Sequence, residues 1–329
     1  MRIALVTVLV LVMALGGAFA LLRTPDLDPA ALTAKYASEA SRFADNGAGL
    51  RVHYRDEGDP EGPPVILVHG SGGSLHNWER LKGHLDADYR LISYTQPGHG
   101  LTGPHARDDY SFAGLAEALD LVIEETGVER FVLAGHSMGG WVAWRYALAR
   151  PDRVSALILV DASGAPDARR NGAGAEEDAP PPLAYRLATG PFGRFFIQHV
   201  TPRFLIEKTA YAFVADPAVM DESSVDRYWE LLRYPGNRRA AALRMSVERE
   251  PAYADRLPEI TAPTLLVWGA ADKQTPVGIA QTFAARLPDA RLAIYEGVGH
   301  MPMEETPRRT AEDIDAFLRE VLSEPQAGR

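Results

Sequence analysis

Ser137 stands in Gly135-His136-Ser137-Met138-Gly139-Gly140, directly after the apolar run Phe131-Val132-Leu133-Ala134. A serine between a buried strand and a helix sits on a turn tight enough to push its hydroxyl out of the sheet. Glycines two before and two after it remove side chains that such a turn would crowd. A serine hydroxyl attacks carbon only when a base takes its proton. His300 is the candidate base, in Gly297-Val298-Gly299-His300-Met301-Pro302 after the last apolar strand. The base in turn needs a carboxylate that fixes its tautomer and stabilises the imidazolium. Asp272, just past the apolar run 264–268, fits that part. Asp161, ending the run 156–160, competes for it but reads more simply as a turn cap. His136, beside the serine, reads as structural. Acyl transfer also builds charge on an oxygen, which backbone donors can stabilise. Met138, opening a helix, supplies one such N–H. Ser71, in His69-Gly70-Ser71-Gly72-Gly73, is the candidate for the second.

These residues must be delivered to one place by regular elements. Strands are expected over 50–55, 65–68, 89–94, 131–134, 156–160, 264–268 and 291–295, from short apolar runs bounded by turn residues. Helical spacing follows Ser111, with Phe112, Leu115, Leu119 and Val122, and recurs over 138–149 and 306–321. Strands that alternate with helices and are apolar without alternation imply a mostly parallel sheet covered on both faces. Such a sheet presents its loops at the carboxyl ends of the strands, where Ser137, Asp272 and His300 all fall. Between 160 and 264 the alternation fails. That stretch carries Tyr185, Phe192, Phe195, Phe196, Phe204, Tyr211, Phe213, Tyr228 and Trp229, and reads as an inserted helical cap whose loose hinge is 171–182.

Composition narrows the function. The net charge of −10 argues against a nucleic-acid surface. With no cysteine there is no disulfide, thiolate nucleophile or cysteine metal site. The nine histidines form no metal-binding pattern, and no cofactor or metal is required. Gly98-His99-Gly100-Leu101-Thr102-Gly103 fits a dinucleotide fingerprint, but Pro104 and a charged loop follow it, not a helix. Arg80, Arg145 and Lys273 read as solvated or helix-face charges. Residues 3–22 are an uncharged apolar run between Arg2 and Arg23. The length suits one membrane crossing of about 20 residues. Ala18-Phe19-Ala20 equally suits signal-peptide cleavage. Both readings put the body outside the cytoplasm, anchored to a membrane or exported. The chain then divides into a signal anchor or signal peptide (1–23), a linker and short helix over 27–38 (24–45), a core (46–162 and 262–323) and the cap (163–261).

His69-Gly70, Trp78, Pro97-Gly98-His99-Gly100, the serine turn, Trp268-Gly269 with Asp272, and Gly299-His300 occur together and in this order. The combination resembles the α/β-hydrolase superfamily over roughly 46–322. The resemblance implies a doubly wound, mostly parallel eight-stranded sheet with the cap inserted after the sixth strand. It also implies catalytic roles for Ser137, Asp272 and His300, and oxyanion donors at Ser71 and Met138. Thr95 departs from the family, which often has an acidic residue there. The serine nucleophile argues against dehalogenase and epoxide-hydrolase activity, where the family uses aspartate. The expected activity is cleavage of a small apolar carboxylic ester with an acyl or aromatic body. Alternatives are a C–C hydrolase of the meta-cleavage-product type and a non-catalytic ligand-binding protein.

Overall fold

The computed structural model describes residues 7, 13, 16–17, 19–166, 190, 193, 195, 198–245, 247 and 251–323. Eight strands form one sheet: β1 (Ser41–Asp45), β2 (Arg51–Gly58), β3 (Pro64–Val68), β4 (Arg90–Tyr94), β5 (Phe131–His136), β6 (Val154–Val160), β7 (Thr264–Gly269) and β8 (Ala290–Tyr295). Their order across the sheet is β1-β2-β4-β3-β5-β6-β7-β8. β2 runs antiparallel to both β1 and β4; every other pairing is parallel.

Side chains point alternately to the two faces of a strand, so each central strand feeds two cores. Ile66, Val68, Leu133, Leu157, Leu159, Leu266 and Trp268 join one cluster with helices Phe112–Thr126, Met138–Ala149 and Val277–Arg286. Val65, Leu67, Val132, Ala134, Ile158, Val160, Leu265 and Val267 join the other. There Ala311, Ile314, Phe317 and Leu318 of helix Pro307–Ser323 cover them. A strand buried on both faces has no polar positions to alternate, which is why these runs are continuously apolar.

Two boundaries expected from sequence move. β1 lies inside the stretch 24–45 assigned to the linker, and pairs in register with β2 from Ser41 opposite Arg55 to Asp45 opposite Arg51. The core therefore starts at Ser41, not at 46. As an edge strand with only Phe43 and Ala44 apolar, β1 carries little hydrophobic signal. At the far end, Ala254, Leu257 and Ile260 pack into the first core cluster. The turn-like helix Pro251–Glu259 thus packs against helices Met138–Ala149 and Val277–Arg286 of the core, although the sequence placed it in the cap. Between β6 and β7 the described helices are Arg203–Phe213, Glu222–Leu232 and Asn237–Arg244. The predicted hinge 171–182 and Tyr185, Phe192 and Phe196 lie outside the described residues.

The short helix near the N-terminus runs Pro29–Tyr36. Most of the apolar run 3–22 lies outside the described residues, and among those described no helix is long and apolar enough to cross a membrane. Arg145 corrects another expectation. It is buried, not solvated, with its guanidinium over the rings of Tyr253 at 3.6 Å and Phe112 at 4.5 Å. Aromatic faces attract a cation by their quadrupole, so a helix-face arginine is drawn inward where three rings meet it.

Candidate active site

Ser137 joins β5 to helix Met138–Ala149 with φ 53 and ψ −117, a conformation seldom open to a residue with a side chain. Several contacts hold it there. Ser137 donates its N–H to Val160 O at 3.0 Å, and its own carbonyl accepts from Trp141 N and Ser163 N. The flanking glycines are steric necessities. A Cβ on Gly139 would lie 2.2 Å from Val68 O, and one on Gly135 would lie 2.3 Å from Gly139 O. The backbones of β3, β5 and the helix approach closely because nothing protrudes between them.

His300 follows β8 and presents its ring to the serine. Ser137 Oγ lies 3.0 Å from His300 Nε2, and His300 Nδ1 lies 2.6 Å from Asp272 Oδ2. The buried Asp272 is an acceptor, so Nδ1 carries the hydrogen and Nε2 is left to take the serine's. Asp272 accepts three further hydrogen bonds: from Gln274 N at 2.7 Å, Thr275 N at 3.1 Å and Thr275 Oγ1 at 2.5 Å. Burial pushes its carboxyl up, but the hydrogen bond from His300, the interaction with that ring and the Thr275 hydroxyl outweigh burial and hold it below the usual range.

Asp161, the competing acid, is also close: Asp161, Asp272 and His300 offer polar atoms all within 4.8 Å of one another. Yet no Asp161 oxygen bonds the His300 ring. Its Oδ1 accepts Gly269 N–H at 3.0 Å. Complete burial, reinforced by the neighbouring Asp272 charge, holds its carboxyl well above the usual range. Burial thus pushes Asp161 toward its neutral form, while the His300 contacts hold Asp272 toward its charged one. The cluster does not suit a metal ion. Two ligands of one zinc stand about 3 Å apart or more, whereas His300 and Asp272 meet at hydrogen-bond distance.

Ser71 and Met138 both border the cavity above Ser137. Met138 opens its helix, so its N–H has no intrahelical carbonyl. The loop carrying Ser71 is braced from below. Gln96 N–H donates to His69 Nε2 at 2.9 Å, which leaves His69 Nδ1–H to donate to Gly70 O at 2.7 Å. Thr95, where the family often has an acid, accepts Leu75 N–H at 3.3 Å and ties down the same loop. The loop 98–103 folds back on itself, Gly98 N–H to Gly103 O, with no helix opening from it.

Four further residues support the triad: His136, expected to be structural, Phe213, expected only as a cap aromatic, and Glu304 and Glu305, which the sequence does not single out. His136 is buried, and its Nε2–H donates to His300 O at 2.7 Å. Burial pushes its pKa down to about 3, so it is a neutral clamp on the base. Glu305 accepts N–H groups from Gly299, Met301 and, across in the cap, Ala215 at 2.8–3.1 Å. Phe213, the last residue of cap helix Arg203–Phe213, accepts His300 N–H at 2.7 Å and sets its ring 5.6 Å from the imidazole. Buried Glu304 accepts from Asn77 at 2.7 Å and from Tyr228 of the cap at 3.1 Å. All four depend on long-range contacts that no local spacing encodes.

The cavity measures about 500 Å³. Its floor is Ser137, Met138 and His300; its walls include Ile206, Ala210, Phe213, Met220, Leu232 and Met301. Asn77, Thr209, Tyr228, Arg244 and Gln274 also line it, so the chamber has apolar walls interrupted by polar groups and suits a substrate with an apolar body and a polar reacting group.

Known proteins share this fold. A family model for the alpha/beta hydrolase fold matches residues 63–307. A 2-hydroxy-6-oxononadienedioate/2-hydroxy-6-oxononatrienedioate hydrolase of Paraburkholderia phymatum is 27% identical over 299 residues, 88% of this chain and 96% of that protein. The crystal structure of a membrane phospholipase A, a bacterial virulence factor, is similar with a TM-score of 0.70 and 27% identity over 98% of this chain and 99% of that one. A thermophilic esterase from Thermogutta terrifontis is similar with a TM-score of 0.68 and 25% identity over 85% of this chain and 98% of that one. On the sheet, the serine turn and a family match over most of its length, the chain belongs to the alpha/beta hydrolase fold family of hydrolases.

Proposed function

We propose that this protein hydrolyses carboxylic esters with an apolar acyl or aromatic body through an acyl-enzyme on Ser137. One observation carries the reading: an unbroken hydrogen-bonded line from Ser137 Oγ through His300 to Asp272 at the floor of an apolar cavity. In the first half-reaction His300 Nε2 takes the hydroxyl proton while Oγ bonds to the ester carbonyl carbon. The Met138 and Ser71 N–H groups stabilise the resulting oxyanion. Its collapse breaks the bond to the alkoxide, which leaves with the proton from His300. Water then attacks the acyl-enzyme and gives its proton to His300; collapse breaks the bond to Ser137 Oγ, which takes that proton back as the acid is released. Similarity to a phospholipase A and to an esterase supports an ester as substrate. The residues 3–22 and the membrane phospholipase A likeness support a catalytic body outside the cytoplasm, held at a membrane or exported.

The relatives that carry C–C hydrolase names favour a second reading, in which the bond broken lies beside a ketone. A panel of p-nitrophenyl esters of varied acyl length, run beside a 2-hydroxy-6-oxo-dienoate, decides between them. Ester turnover that vanishes in Ser137→Ala, with the dienoate untouched, is the expected result. Turnover of the dienoate alone would replace the first reading with the second. A fluorophosphonate probe that failed to label Ser137 would leave only a ligand-binding role.

A further inference from the structure

We infer that the cap carries an apolar rim that seats on a lipid bilayer, so that the cavity mouth opens toward the membrane surface. Scattered exposed apolar side chains are ordinary; here they are not scattered. Among the described residues the large exposed ones are Met13, Leu21, Leu22, Phe195, Phe204, Leu205, Met245 and Leu292. All but Leu292 belong to the N-terminal segment or to the stretch between β6 and β7.

Contacts join these pieces. The Phe19 ring stacks on that of Phe195 at 5.4 Å. Thr24 donates its N–H to His199 O at 2.8 Å, and Thr201 donates its N–H to Thr24 Oγ1 at 3.2 Å. Two residues later, helix Arg203–Phe213 begins and exposes Phe204 at 57% and Leu205 at 45% in its first turn. The next residue, Ile206, lines the cavity, as do Thr209 and Met245, both exposed. Exposed wall residues mark the opening, so the apolar patch and the mouth are neighbours on one helix.

The occupant follows from where the chain comes from. Residues 3–22 have the length and apolarity of one bilayer crossing, and only Arg23 separates them from the strap that ties the chain to the cap. In that strap the buried Arg238 donates to Thr24 O and Asp26 Oδ1, both at 2.6 Å, and Arg233 donates to Pro25 O at 2.9 Å. A bilayer that holds the apolar run must therefore lie against the cap and not against the sheet. An ester with an apolar body partitions into that bilayer and can enter the cavity without crossing water. The route for substrate rests on the ester reading above; the docking does not.

The chain has no cysteine, which makes single-site labelling clean. Full-length Phe204→Cys, Leu205→Cys and Leu292→Cys proteins, each carrying an environment-sensitive dye, are reconstituted with phosphatidylcholine vesicles containing nitroxide lipids. Dyes at 204 and 205 should shift to the blue and be quenched by the nitroxide; the dye at 292 should do neither. Cap dyes as unquenched as that at 292 would overturn the proposal. A blue shift without quenching would overturn it too, because a second protein copy would then cover the patch. In parallel, Phe204→Ser with Leu205→Ser should cut turnover of a vesicle-borne ester by about tenfold or more, given what burying two such side chains contributes. Turnover of a short soluble ester should stay within about twofold. Equal losses on both substrates would remove the entry route. If the parent protein turns over neither ester while the cap dyes are quenched, the ester reading fails and the docking stands.

Discussion

Replacing Asp161 with asparagine, and separately Asp272, distinguishes the two buried carboxyls that approach His300. Asp272 accepts the Nδ1–H of the base at 2.6 Å and is held ionised. Asparagine there offers an amide whose N–H can face the ring and favour the wrong tautomer. The same change in a serine protease triad lowers kcat about 10⁴-fold, or about 5.4 kcal/mol of transition-state stabilisation. Asp161 is fully buried, and burial first, with the Asp272 charge second, pushes its carboxyl up and favours the protonated form. Asparagine in its place changes no charge and retains the acceptor for Gly269 N–H. Asp161→Asn should therefore cost less than about tenfold in kcat and within about 1.5 kcal/mol in stability, the worth of one hydrogen bond. Steady-state turnover of a p-nitrophenyl ester and urea unfolding measure both. A pH signature completes the test. The unfolded Asp161 releases its proton near pH 4, while the folded one keeps it. Native stability therefore drains away as pH rises from about 4 toward the raised folded value, by at most about 1.36 kcal/mol per pH unit. Asp161→Asn removes that loss, so the variant should gain on the parent between pH 5 and 8. A difference flat with pH, or a larger kcat loss at Asp161 than at Asp272, would refute the assignment of the two acids.

Acid should unfold the protein from about pH 6.5 downward. Burial pushes His53, His69, His76 and His136 down to about 3, and His99 well below its ordinary value. The unfolded chain protonates all five below about 6.5 while the folded one does not, so stability is lost as pH falls. Asp161, Glu304 and Asp315, raised chiefly by burial, act in the opposite sense but are fewer. The urea midpoint should drop between pH 7 and 5; a constant or rising midpoint contradicts this. Glu305→Ala strips the acceptor from Gly299, Met301 and Ala215 and loosens the His300 loop. Since misplacement by 1 Å can cost about 10²-fold, kcat should fall roughly 10- to 100-fold, with fluorophosphonate labelling slowed in proportion; an unchanged labelling rate counts against it. Gly139→Ala would drive its Cβ into Val68 O and His69 O. It should cost about 3 kcal/mol or more, read as lost soluble yield or a lowered thermal midpoint; a protein melting like the parent would mean the strands can part there.

The central strands, the serine turn and the positions of Asp272 and His300 were legible because each is a local event: an apolar run, a glycine pair, a loop after a strand. Helix Met138–Ala149 ends where its periodicity stops and Pro151 intervenes. What escaped was encoded only by partners far along the chain. β1 is too short and polar to announce itself, and is a strand because β2 lies beside it. Arg145 reads as a surface charge until Phe112 and Tyr253 close around it. The Pro251–Glu259 stretch reads as part of the cap, yet Ala254, Leu257 and Ile260 join the core cluster beside helices Met138–Ala149 and Val277–Arg286. Asp161, directly after β6, and Asp272, three residues past β7, both follow strands, and the hydrogen bond of the His300 ring falls on Asp272.

The amide of His300 is hung from the last carbonyl of a cap helix, and Glu305 stitches the same loop to Ala215. Lifting that helix to admit a guest would pull on the very backbone that aims the imidazole. Any movement of that helix is thereby coupled to the aim of the proton acceptor.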